Sequence, residues 1–135
     1  TEPIIFSDSL NIVLVNFATQ MGFPMITEEY LAKEFRIVVK HFYPQAGQLL
    51  HRCYVKVINS YWGQPPRRLQ YIGIYCPDEI ISAVLEQRDI LREVAENMGL
   101  VEVVCINATR VVRDPLSKLK HTDPRFWLEL HWIVR

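Results

Sequence analysis

From Trp62 to Arg67 the chain reads Trp-Gly-Gln-Pro-Pro-Arg, and neither a helix nor a paired strand can run through it. Two consecutive prolines offer no backbone N–H and each fixes φ, so the segment has to loop. A β-branched run at residues 53–58 precedes the loop, and a run rich in Tyr and Ile follows it at 69–75. Residues 49–61 also allow a helix, but two strands here would form a long hairpin. Upstream, Ser9 can cap a helix to about Met21, with Leu10, Val13, Leu14, Phe17 and Met21 on one face. Ile12 and Val15 make that helix apolar on more than one side, and Gly22, Phe23 and Pro24 end it.

Thr27 is a good cap for a second helix, with Glu28 and Glu29 in its first turn and Leu31, Phe35, Val38, Val39 and Phe42 as its core stripe. Pro44 stops it. Downstream, Pro77 at a first helical position, followed by Asp78 and Glu79, opens a helix through Ile80, Ile81, Val84 and Leu85. Asp89 caps a further one carrying Ile90, Leu91, Val94 and Met98 inward, and Gly99 ends it. The remainder reads as strands at 101–107, 109–113 and 126–134. The last alternates, with Phe126, Leu128, Leu130, Trp132 and Val134 on one face and Trp127, Glu129, His131 and Ile133 on a wetter one. The expected fold class is therefore α+β, as one domain over 1–135. It has N-terminal helices, a small mostly antiparallel sheet with a hairpin, and two short helices packed on it. Helices and strands do not alternate as a parallel βαβ fold requires.

A chain of 135 residues, 50% hydrophobic and 22% charged, has a globular balance. Its apolar stretches are too short to span a bilayer, and no signal-peptide pattern opens it. A start at Thr1 and an abrupt stop at Arg135 read as a piece of a longer protein. Cys53, Cys76 and Cys105 are odd in number with no C-x-x-C pair, which suits free thiols in a reducing compartment. Net charge is zero but unevenly spread. No acid lies between Glu34 and Asp78, where Arg36, Lys40, Arg52, Lys56, Arg67 and Arg68 fall. The compensating acids, Asp78, Glu79, Glu86, Asp89, Glu93, Glu96 and Glu102, follow.

Nucleophile-elbow, Walker, dinucleotide and zinc-protease motifs are all missing, and His41, His51, His121 and His131 never take metal-ligand spacing. A Cys53–His41 dyad is arithmetically open but lacks an orienting acid, and helix-start placement already explains Asp78-Glu79. The chain reads as a non-enzymatic binding domain with no cofactor. Arg52, Lys56, Arg67 and Arg68 interleave with Tyr54, Tyr61, Trp62 and Tyr71, so cations for phosphates accompany π-faces for bases. Arg52, Lys56, Trp62, Arg67 and Arg68 are thus an expected single-stranded RNA patch. The same pattern also fits a solvated hairpin with its aromatics turned to the core. A third reading is a self-associating scaffold or homo-oligomer, using the edge of the last strand with Trp127 and Ile133 exposed on it.

Two stretches carry a family resemblance. The first is His41-Phe42-Tyr43-Pro44-Gln45, then Gly47, then His51-Arg52-Cys53 entering a strand. The second runs from Pro77 through Asp89, Ile90 and Val94 to Val103-Val104-Cys105-Ile106-Asn107-Ala108 and Val111. In order and content they resemble box A and box B of the Tob/BTG anti-proliferative family, leaving roughly 59–75 as an insertion. The resemblance implies two helices before box A, a last strand after box B, and a cytoplasmic, also nuclear, adaptor in mRNA regulation. Such an adaptor represses translation or promotes deadenylation through regulatory proteins and mRNA. Its implied partner is the Caf-type catalytic subunit of the deadenylase complex. In the family an aromatic before Arg-Cys and a box B Trp pack on that subunit. His51 and Cys105 stand at those positions here, and Asn107-Ala108 replaces Asp-Pro. The resemblance is thus to a divergent member with a changed partner surface, as in a lineage-specific germline regulator of sperm fate.

Overall fold

The computed structural model describes residues 27–134, so the expected helix from Ser9 to Met21 lies outside the described residues. Helix α1 covers Glu28–Phe42 and is capped by Thr27, whose side chain accepts from Tyr30 N at 3.0 Å. Its buried stripe is Ala32, Phe35 and Val39. Phe42, expected in that stripe, lies in the last turn beyond the sheet and is 66% exposed, edge-on to His41. Pro44 stops α1 and also opens helix α2, Pro44–Leu50, at its first position, where a missing N–H costs nothing.

Strand β1 (Tyr54–Trp62) and strand β2 (Arg67–Cys76) form the expected hairpin, paired antiparallel from Tyr54↔Tyr75 to Trp62↔Arg67. The strand alternative therefore wins over the helical one at residues 49–61. Gly63 takes φ +86° in the turn, a conformation that glycine adopts freely. Helix α3 (Ile81–Glu86) starts later than Pro77 suggested. The Pro77 carbonyl closes a turn by accepting from Ile80 N and Ile81 N at 3.1 and 3.2 Å. Helix α4 (Arg88–Asn97) holds Asp89 in its first turn, paired with Arg92 at 2.9 Å rather than capping. Gly99, at φ +86°, ends it as expected.

Strand β3 (Val103–Asn107) joins β2 in parallel, giving a sheet of order β1-β2-β3. The fold is α+β, with a mixed sheet. The β2-α3-α4-β3 crossover is a parallel unit, where the sequence pattern suggests none. The expected strands at 109–113 and 126–134 are helices instead. Helix α5 spans Ala108–Arg113, a short helix α6 spans Leu119–Thr122, and helix α7 spans Pro124–Ile133. Side-chain caps decide both corrections. Asn107 accepts from Arg110 N at 3.1 Å and Asp123 from Phe126 N at 3.2 Å, with Pro124 at the first helical position.

Helices α1 to α4 cover one sheet face, where Phe35, Val39, Leu50, Val84, Leu91 and Ala95 meet Val55, Val57, Ile72, Ile74 and Val103. The other face carries Tyr54 and Tyr75 under Phe126 and Leu130 of α7 and Ala108 of α5. Phe126 sits 5.3 Å from Tyr54 and 4.9 Å from Tyr75 between ring centroids. Burial pushes both tyrosine hydroxyls above their ordinary range, with Glu129 and Glu29 adding to the effect at Tyr54.

Two outcomes follow. A methyl on Gly47 would meet the Lys40 Cα at 2.7 Å, a backbone atom that cannot rotate away. Gly47→Ala should therefore push α1 and α2 apart and cost about 1–3 kcal/mol in urea unfolding. A tyrosine whose folded pKa is raised stabilises fully below its unfolded pKa, and the contribution fades as pH rises through the folded one. Stability should accordingly fall above about pH 10, and the Tyr54→Phe/Tyr75→Phe double variant should show a shallower alkaline decline in thermal melts.

Candidate functional site

The two box-like stretches meet at one end of the sheet. Tyr54 pairs with Tyr75, so Cys53 stands beside Cys76, and on the other edge of β2 Cys76 pairs with Asn107. Strand β2 thus brings residues 53 and 107 to the same end. Polar contacts tie the loops there. Arg52 pairs with Glu79 at 3.6 Å, and Asn107 Nδ2 donates to Asp78 Oδ1 at 2.8 Å. Asp78 N in turn donates to Thr109 Oγ1 at 2.9 Å. The guanidinium of Arg36, reaching from α1, donates to the carbonyls of Leu50 (2.8 Å) and Cys53, which holds the turn before β1. Arg36 and Thr109 are not legible as site residues in the sequence, because their partners lie far away in it, and Glu79 reads there as a helix-start acid.

Around this end His41, Phe42, Pro44, His51 and Arg52 are exposed, Tyr43 is half-buried, and Gly47 and Cys53 are buried. Of the box B-like residues Val104 is exposed at 38%, while Cys105, Ile106, Asn107 and Val111 are half-buried. Gly47 serves the α1–α2 contact. Cys105 packs on the main core and Val111 on the smaller one. The residues that remain open to a partner here are therefore His41, Phe42, Pro44, His51, Arg52, Asp78 and Glu79, with Val104 exposed on β3.

Beside this end, α1 and α2 enclose a small apolar groove of about 210 Å³. Ile37, Gly47 and Leu50 line it, with Lys33, Arg36, Lys40 and His51 around them. A wider cleft of about 510 Å³ runs along β1 between α1 and α7, where Glu28, Glu29, Asp123 and Glu129 face Lys33, Arg36, Lys56 and Arg125. Asp123 binds Lys56 at 3.9 Å, and the Lys56 ammonium lies 4.0 Å from the Phe126 ring centroid. The cleft was not legible in sequence, because its α7 wall had been read as a strand.

The expected RNA patch is divided. Arg52 sits at the start of β1 in its ion pair, and Lys56 is held by Asp123 and Phe126. Trp62, Arg67 and Arg68 lie at the hairpin tip, at the far end of a nine-residue strand. At roughly 3.3 Å per residue, that is on the order of 30 Å away. The edge expected for self-association is also absent as drawn, since α7 is a helix. Trp127 is half-buried, stacked on His131 at 5.0 Å, and Ile133 packs in the smaller core, while Leu128 and Trp132 are the exposed apolar residues.

Cys53 and Cys76 are 2% and 0% exposed, and Cys105 is half-buried. Hydrogen bonding with Cys53, together with burial, drives the Cys76 thiol far up, and burial also raises Cys105. The hydrogen bond with Cys76 lowers Cys53, but with its sulfur 3.4 Å from the Leu49 carbonyl it has no open approach for a substrate. Among the described residues no group of three or more His, Cys, Asp and Glu could hold a metal ion. Iodoacetamide at neutral pH should label Cys105 slowly, leaving Cys53 and Cys76 unlabelled until denaturant is added, as read by peptide mass spectrometry.

No protein-family model, no curated protein and no solved structure matches the chain. Among the described residues no helix is long and apolar enough to cross a membrane.

Proposed function

We propose that this domain is a non-enzymatic adaptor in post-transcriptional mRNA regulation, a divergent relative of the Tob/BTG family that docks a regulatory protein at the shared end of its boxes. The observation that carries the reading is the meeting of Cys53 and Asn107 on either side of Cys76, with Arg52–Glu79 and Asn107–Asp78 linking the loops around them. Stretches that the resemblance sets against one partner thus meet at one end of the sheet.

The order helix α1, strand β1, helices α3 and α4, then strand β3 is the order the resemblance implies, with β2 falling in the expected insertion and α7 standing where a last strand was implied. The exposed Phe42 and Arg52 are of the residue types that anchor interfaces. The partner is the Caf-type catalytic subunit of the deadenylase complex, contacted without the two large aromatics usual at His51 and Cys105. Its place of action is the cytoplasm, and also the nucleus, of germline cells.

Calorimetric titration with the purified catalytic subunit tests this. Binding should be measurable, and Arg52→Glu should weaken it about tenfold or more without altering the circular dichroism spectrum, since the Arg52 side chain is 56% exposed. No heat of binding at about 100 µM, far weaker than a specific interface of standard size, would sink the reading.

A further inference from the structure

The hairpin does not end where the core ends. The last fully buried pair across it is Val57↔Ile72, yet pairing continues to Trp62↔Arg67. Residues 61–68 are exposed without a break. They form an arm with Tyr61 66% and Trp62 62% exposed. Register and alternation fix what each side presents. Tyr61 stands directly opposite Arg68, and Trp62 directly opposite Arg67. Successive side chains point to opposite faces, so one face carries the Tyr61–Arg68 pair and the other the Trp62–Arg67 pair. Each pair sets an aromatic residue opposite an arginine, with Cβ atoms about 5 Å apart.

The electrostatics favour an anion. No acid occurs between Glu34 and Asp78, and among the described residues neither Arg67 nor Arg68 forms an ion pair. The rings ride on a paired ladder, so ordering them on binding costs little entropy. Arg52 and Lys56, by contrast, are already engaged and belong to the other end of β1.

We propose that this arm grips single-stranded RNA, with a base stacked on Trp62 and another on Tyr61, and the adjoining phosphates held by Arg67 and Arg68. A ring next to a cation, repeated on both faces, matches the alternation of base and phosphate along an unpaired strand. A duplex keeps its bases stacked inside and offers the rings nothing. An acidic protein would use the arginines but gain little from the rings. The choice of RNA over DNA rests on the mRNA-regulatory reading above.

The test is fluorescence anisotropy of the full chain with fluorescein-labelled ten-nucleotide oligouridine and oligoadenosine. The matching single-stranded DNA, an RNA duplex and polyglutamate serve as competitors. RNA should bind, with affinity falling as salt rises at a log–log slope of about −1.4 for two phosphates. Trp62→Ala should weaken binding about tenfold and Trp62→Phe much less. Arg67→Gln/Arg68→Gln should flatten the salt dependence. All these positions are exposed, so melting temperatures should stay unchanged, which separates lost contacts from lost fold. Equal affinity in the Trp62 and arginine variants overturns the proposal, as does competition by duplex or polyglutamate as strong as that by RNA, and equal competition by single-stranded DNA overturns the assignment to RNA. RNA binding lost with deadenylase binding intact strikes the arm alone. The converse strikes the adaptor reading alone.

Discussion

Strand β2 is the member of the sheet that pairs on both edges, and the rest of the fold is arranged around that fact. Ile72, Ile74 and Cys76 are wholly buried, so the face they share has to be roofed by helices. Parallel pairing with β3 then requires a long return path, and α3 with α4 supplies it while forming part of the roof. Gly73 sits at the middle of the strand, and the Ile58 side chain lies so close over it that a Cβ would come within 2.6 Å of Ile58 Cδ1. A glycine in a central strand is explained here by close approach from a neighbour.

The parts of the fold legible in sequence were those whose local chemistry left one outcome. Thr27 with Glu28 and Glu29 starts a helix, Gly63 and two prolines turn a chain, and Gly99 ends a helix. The C-terminal third was misread because alternation is ambiguous over ten residues. Phe126 and Leu130 are two steps of a period-2 pattern and equally an i, i+4 helical pair. The deciding signal was present in Asp123-Pro124, a cap followed by a residue suited to the first helical position. Likewise the β-branched Thr109, Val111 and Val112 suggested a strand until the Asn107 cap overrode propensity.

The candidate surfaces were legible in composition and not in position. The acid-free middle of the chain was visible at once, but charge along a sequence says nothing of where a strand will carry it. Strand β1 takes Arg52 to one end of the sheet and delivers the Trp62 tip to the other. The partners that hold Arg52 and Lys56, Glu79 and Asp123, come from segments far along the chain. Convergence of the box-like stretches depended on β2 lying between them, and strand order cannot be read from local patterns.

A paired, twisted hairpin resists bending, and β1 runs from the loop of Arg52 to the tip at Trp62 without interruption. The hairpin therefore spans the distance between the two proposed surfaces. A protein docked at one end and a strand of RNA gripped at the other would be held at a set separation, on the order of 30 Å by the rise of an extended chain. The hairpin would then decide how much of a bound message hangs between the grip and whatever acts on it.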